Sequence, residues 1–320
     1  MIPSIVQLQT EVDNNFKPSY KLESYLGQGN NSYIYRGIKD NNKIYLVKFI
    51  PKDDNYQRSL MEVGFVKALS LFSDSNEHIN TCRDFSLGDK YIIVIMDVFR
   101  GQNISQFSEY IKTMNDTDYK NMVKQLIKFS LKSLAYIHKR GVAHQNITLN
   151  NVVLSCPDGK NIKYLKLVDF GGSCGYYFDI NDKKYNNKVC KILVDRTAKL
   201  PPEYYKKKEL IAHIQNLMKS NDPKNIELYM AKKDDLWVLG TIFWSLANRP
   251  LVGQNPFVNH FPESNKINSV NYRIFRGNNN MKDIHKFVVN NILVPVQKRK
   301  SADDILDKFM ILEKYGWEFL

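Results

Sequence analysis

The sequence predicts an α+β protein of two lobes, a small β-rich lobe followed by a larger, mainly helical one. Three observations carry this expectation. Short β-branched and aromatic runs, separated by Gly, Asn and Asp, fill the first hundred residues around a single helical pattern. After Gly101 the periodicity turns helical and stays so, apart from two short strand-like runs. The chain has 320 residues, enough for one large two-lobed unit at roughly 100–200 residues per domain.

Taken in order, residues 1–19 form an N-terminal extension, 20–100 the first lobe and 101–320 the second. Strands are expected at 20–26, 32–38 and 43–50. A helix is expected at 58–71, where Leu60, Val63, Val66 and Leu69 recur at helical spacing. Runs 85–87 and 91–98 read as a hairpin across Gly88-Asp89. Residues 116–139 form a long helical pattern, with Asp116 and Thr117 as N-cap candidates. Strand-like runs follow at 151–154 and 165–168, then helices at 203–219, 234–248, 281–293 and 302–315.

Composition excludes several classes. Hydrophobic residues are 43%, aromatics 12% and charged residues 25%, which rules out fibrous, collagenous and wholly disordered chains. The net charge of +13 is compatible with nucleic acid, acidic lipid or acidic substrates. The basic residues are spread along the chain without a long tract, and runs such as Asn278–280 point to compositional bias, so nucleic acid is disfavoured. The four cysteines, Cys82, Cys156, Cys174 and Cys190, form no C-x-x-C pair and are expected as free thiols in a reducing compartment. No secretory signal opens the chain, and the longest apolar segment, 236–247, is too short to span a bilayer. A soluble, intracellular protein without a transmembrane segment is expected.

The first motif is Gly27-Gln28-Gly29-Asn30-Asn31-Ser32-Tyr33-Ile34. Glycines between two strands let the backbone approach phosphate oxygens, although a plain hairpin turn reads the same way. The next strand carries Lys48 inside the apolar run Tyr45-Leu46-Val47-Lys48-Phe49. A lysine there calls for a partner unless it faces water from an edge, and Glu62 on the following helix is the candidate. Further on, His144-Gln145-Asn146-Ile147-Thr148-Leu149-Asn150-Asn151 precedes Asp169-Phe170-Gly171. An Asn and an Asp on neighbouring loops can hold Mg²⁺ between phosphates through hard oxygens. Pro201-Pro202-Glu203, Asp235-Leu236-Trp237 and Arg299 complete the series.

In this order and on these elements, the motifs resemble those of the eukaryotic-type protein kinases: Gly-rich loop, strand lysine, catalytic loop, DFG and APE. The resemblance implies a bilobal protein-kinase fold that binds Mg-ATP. It implies that Gly27, Gly29, Ser32 and Ile34 cover the nucleotide and that Lys48, paired with Glu62, holds its phosphates. Met96 would gate the adenine pocket, and Asp97 to Phe99 would form the hinge. Asn151 and Asp169 would ligate the metal, Glu203 would pair with Arg299, and Asp235 would lie under the catalytic loop. The activation segment would run 169–203, followed by an insertion at about 204–233.

The catalytic loop departs from the family's H-R-D pattern. Gln145 stands for its Arg, Asn146 for its catalytic Asp, and Thr148 for the Lys common in Ser/Thr kinases. An Asn is no useful base, and general-base help is worth roughly 10²–10⁴-fold. The resemblance therefore implies a catalytically impaired, nucleotide-binding pseudokinase acting as scaffold or regulator of a protein partner. The alternative is an active Ser/Thr protein kinase transferring the γ-phosphate of ATP to protein hydroxyls, with Asn146 an introduced inactivating change or the mark of a slow enzyme. A lesser alternative is a basic-surface nucleic-acid or membrane binder on the same scaffold. Gln145 further implies that phosphorylation, for instance at Thr197, does not order the 170–200 segment. His138 and His144 are expected as structural histidines, and Trp237 and Trp244 as core.

Overall fold

The structure, a computed structural model, describes residues 2–29, 32–39, 42–188, 190, 222–247, 282–294 and 296–317. The expected helix at 203–219, Glu203 and Thr197 lie outside these residues. Two compact units divide the chain, and the first break falls after Arg100. The smaller comprises Met1–Arg100 with Asp169–Gly171 and Tyr176–Asn186, and the larger takes the remainder. Part of the 169–203 segment thus belongs to the small unit.

The small unit is a five-stranded antiparallel sheet in the order β1-β2-β3-β5-β4. Its strands are β1 (Lys21–Gly29), β2 (Ser32–Lys39), β3 (Lys43–Pro51), β4 (Cys82–Leu87) and β5 (Tyr91–Asp97). Because side chains alternate along a strand, each face has its own parity. Tyr35, Val47, Phe49, Ile93 and Ile95 face one way and join Leu8, Val12, Phe16 and Tyr20 in one apolar cluster. Ile50, Ile92, Val94 and Met96 face the other way and join Leu60 and Val63 in a second.

Each cluster has a helix over it. The second lies under α2 (Tyr56–Ser70). The first lies under α1 (Ile5–Asn15), a helix within the N-terminal extension expected at 1–19. Ser4 and Gln7 close a capping box at its start, and Leu8 and Val12 are its buried stripe. Glu11 accepts the backbone N–H groups of Asp89 (3.1 Å) and Lys90 (3.3 Å), so α1 also pins the β4–β5 turn. A short α3 (Ser75–His78) precedes β4.

In the large unit, α5 (Asp116–Lys139) is the buried spine, with Leu126, Leu131, Leu134 and Ile137 fully covered. Its N-cap is Asn115, whose side chain accepts the Asp118 N–H at 2.9 Å, so the cap falls one residue before the expected candidates. The sequence pattern cannot distinguish the two, since Asn and Asp both cap well. The helix α4 (Ile104–Ile111) precedes it, and α8 (Ala302–Tyr315) packs along it with Lys128 and Glu313 paired at 2.6 Å. Strands β6 (Gln102–Asn103), β8 (Val152–Ser155) and β9 (Tyr164–Leu167) form a small sheet, with α7 (Lys282–Asn291) farther along.

Helix α6 (Pro223–Ala247) begins well before the expected start at 234. Pro223 sits in its first turn, where a missing N–H costs nothing. Ile226, Met230 and Ala231 then continue the buried stripe through what the sequence suggests is insertion.

One expectation is overturned. Cys174 and Cys190 form a disulfide (Cα–Cα 5.0 Å), while Cys82 and Cys156 are free. Sixteen positions of chain separate the two, and only the fold brings them together. Cys174 opens β10 (Cys174–Asp179), whose first residues pair with β7 (Val142–Ala143); the rest of β10 runs beside β11 (Lys184–Lys188). Gly175, at φ +104°, lies so close to the Gly141 carbonyl that no Cβ fits there.

Candidate functional site

The residues singled out by sequence gather in two groups, one in each unit. In the small unit, β-pairing lines up Gly27, Ile34, Lys48 and Val94 across four strands. Lys48 therefore shares a face with Ile34 and Met96, on the side that α2 covers. Its ammonium lies 3.0 Å from the Glu62 carboxylate, and each side chain is about one-fifth exposed. The pair is partly desolvated yet open enough to meet a charged ligand. Gly29 pairs with Ser32 where β1 passes to β2, and Ser32 is buried.

At the end of β5, Met96 is buried and its sulfur accepts from the Asn80 amide at 3.5 Å. The carboxylate of Asp97 is held by Arg83, through Nε at 2.8 Å and NH2 at 2.6 Å, and its N–H donates to Thr81 O. This raises the Arg83 pKa, chiefly through the Asp97 hydrogen bond. Asp97 thus fixes the strand end with its side chain, and Phe99 is half-buried two residues on. Asp169 has a left-handed backbone (φ +65°), and its Oδ1 accepts the Gly171 N–H at 3.4 Å. The Gly171 carbonyl is in turn held by Arg58 of α2 at 3.3 Å, a contact the sequence did not suggest.

In the large unit, the loop between β7 and β8 hangs from Asp235 on α6. This buried carboxylate accepts the backbone N–H groups of His144 (2.7 Å) and Gln145 (2.8 Å) and contacts His138 Nε2 at 3.0 Å. Burial keeps the His138 pKa below its ordinary value, so it meets Asp235 as a neutral donor. His144 is fully buried. Its Nε2 lies 3.1 Å from the Val168 carbonyl, and its Nδ1 accepts the Asn146 N–H at 3.3 Å, which assigns the Nε2–H tautomer.

Asn151 donates its amide to the Asn146 carbonyl (2.9 Å) and its backbone N–H to Thr148 O (3.1 Å). Asn146, Thr148 and Asn151 therefore share one compact turn. Gln145 turns its amide onto the Ala231 carbonyl of α6 at 2.9 Å, with a left-handed backbone (φ +58°). Nothing in the local sequence signals this contact, because Ala231 is remote in the chain. Arg299 is buried over the Trp237 ring and donates to the carbonyls of Ile292, Lys233 and Val294; Glu203, its expected partner, lies outside the described residues. Trp237 is core, and the half-buried Trp244 donates to His285 Nε2 at 3.0 Å.

A strand lysine paired with a helix glutamate beside a Gly-rich strand pair, a carboxylate-anchored loop and an Asp-Phe-Gly turn together define a protein-kinase-like architecture. The chain belongs to the protein kinase family: the family model described as "Protein kinase domain" matches residues 20–311. It is 24% identical to the serine/threonine-protein kinase CLA4 of Candida albicans, over 98% of this chain and 28% of that protein. It is 23% identical to the NUAK family SNF1-like kinase 1 of Mus musculus, over 93% of this chain and 39% of that protein. The chain thus spans well under half the length of these relatives. Its fold is that of the autoinhibited serine kinase domain of the giant muscle protein titin (TM-score 0.61, 17% identity, covering 96% of this chain and 83% of that one). The bilobal, α+β kinase fold is therefore that of this chain.

Among the described residues no group of three or more His, Cys, Asp or Glu could hold a metal, and no helix is long and apolar enough to cross a membrane. Asn151 donates through its amide nitrogen within its own turn, and its side-chain oxygen and the Asp169 carboxylate are each of the hard-oxygen type that magnesium takes.

Proposed function

We propose that this chain is a protein-kinase domain that binds Mg-ATP, transfers phosphate poorly or not at all, and regulates or scaffolds a protein partner inside the cell. The single observation behind this reading is the contrast between the formed Lys48–Glu62 pair and a catalytic-loop position occupied by Asn146. In this reading Lys48 meets the α/β-phosphates and Glu62 fixes its orientation. Gly27, Gly29, Ser32 and Ile34 cover the phosphates, and Met96, Asp97 and Phe99 border the base. Asn151 and Asp169 hold the metal. Bound Mg²⁺ would neutralise phosphate charge and orient the phosphoryl group.

Asn146 can accept a hydrogen bond from an incoming hydroxyl through Oδ1, but it cannot take the proton at neutral pH. Thr148 adds no positive charge beside it. Phosphoryl transfer depends mainly on positioning and charge, so a slow enzyme remains the second reading, supported by the compact 146–151 turn.

The test is phosphate transfer from labelled ATP by this protein, its Asn146→Asp form and a Lys48→Ala control, with Mg-ATP binding followed by thermal shift. We expect a Mg-ATP-dependent shift in the unaltered protein and its loss in Lys48→Ala. Robust transfer by the unaltered protein would overturn the impaired reading, and the absence of any nucleotide shift would overturn the cofactor assignment.

A further inference from the structure

We infer that the loop closed by the Cys174–Cys190 disulfide is a thiol-sensitive clamp on α2, the helix that carries Glu62. Ile180, at the tip of the β10–β11 hairpin, is buried among Ile50, Leu60, Val63, Val94 and Met96. It is a component of the core beneath α2, although it lies far along the chain from the rest of that core. Phe178 packs at the edge of the same cluster. The carbonyl of Phe178 approaches α2 at Gly64 so closely that any Cβ there would collide with it. The rings of Phe65 and Tyr177 sit 5.3 Å apart. Asp179 ties the turn by accepting the N–H groups of Asn181 (3.0 Å) and Asp182 (3.3 Å). The hairpin therefore presents a fixed shape to α2 and fills a hole that its absence would leave.

The two cysteines bracket this hairpin. Both are buried, 3% and 2% exposed, in a cluster with Ala143, Leu228 and Ala231. Cys174 is further fixed by its pairing opposite Ala143. Closing the loop removes conformations from the undocked hairpin and so favours the docked one. Opening the bond requires two electrons. One thiolate of a small dithiol attacks a cysteine sulfur and displaces the other; the second thiol then closes on the first, leaving two protein thiols and a cyclic disulfide. With both sulfurs covered, the reductant enters only when the hairpin opens locally, so the reduction rate reports that opening. Because α2 carries Glu62, the partner of Lys48, an open bond would also loosen the lysine's hold on a nucleotide, a consequence that rests on the nucleotide-binding reading above; the clamp itself does not.

The experiment is hydrogen exchange on the full chain, read by mass spectrometry, before and after dithiothreitol. Intact mass establishes the state of the bond, and Cys190→Ser and Ile180→Ala serve as variants. With the bond open, amides of residues 56–70 and 176–186 are expected to exchange at least about tenfold faster. In oxidised Ile180→Ala, both α2 exchange and the rate of reduction are expected to rise at least about threefold. Unchanged α2 exchange in reduced unaltered protein overturns the clamp, as do free thiols at both positions in protein prepared in air. A Mg-ATP thermal shift measured in parallel should fall on reduction. If it is absent in both states, the nucleotide reading fails while α2 exchange still decides the clamp.

Discussion

The Lys48–Glu62 pair and the Asp235-anchored loop are both built around a carboxylate, but they use it differently. Glu62 is part-exposed and answers a single ammonium across 3.0 Å. Asp235 is buried and answers two backbone N–H groups and a neutral imidazole. The first arrangement is cheap to disturb and suited to meeting a ligand. The second fixes backbone, through the N–H groups of His144 and Gln145, whatever side chains the loop carries at Asn146 and Thr148. Anchoring a loop and performing chemistry on it are separable properties of this fold.

The comparison breaks most visibly if the loop is only one atom swap from activity. Asn146→Asp is expected to raise phosphate transfer by about 10²–10⁴-fold without moving the nucleotide thermal shift. Next in size is Asp235→Ala, which leaves the buried N–H groups of His144 and Gln145 without their acceptor. A loss of about 3 kcal/mol in denaturant-measured stability is expected.

A buried cation sharpens the point. Lys233, on α6 beside Asp235, is buried; burial foremost, then the Arg299 guanidinium, push its pKa down from 10.5 to about 8. The unfolded chain therefore binds more protons than the folded one between about pH 8 and 10.5, and stability rises with pH across that window. Below it, the charged lysine costs about 3 kcal/mol. Urea titrations at pH 7.5 and 9.5 should show the gain in the unaltered protein and not in Lys233→Met. Smallest in stability is Glu62→Gln, expected to cost at most about 1 kcal/mol while weakening Mg-ATP binding about tenfold. Equal stability losses for Glu62→Gln and Asp235→Ala would erase the distinction.

Much of this was legible in the chain. The helices 116–139 and 302–315 follow directly from their apolar period, and the Lys48–Glu62 pair follows from a lysine in an apolar strand needing an opposite charge nearby. Helix α1 was legible too, in the Ser4–Gln7 box and the Leu8/Val12 stripe, but its short pattern carries little weight without the sheet face it covers. The disulfide and the grip of Gln145 on Ala231 were not legible. Both join residues whose proximity only tertiary structure creates, and the spacing of cysteines or the identity of a glutamine says nothing about it.

The alternating faces of the small sheet place a constraint on the length of β3. Lys48 stands between Val47 and Phe49, whose side chains enter the cluster under α1. Adding or removing one residue within the paired part of the strand, ahead of Lys48, would turn the ammonium into that cluster and swing an aromatic ring toward Glu62. Such changes can be absorbed only in even numbers or at the turn around Asn42, so the length of this strand constrains the site as strictly as the lysine itself.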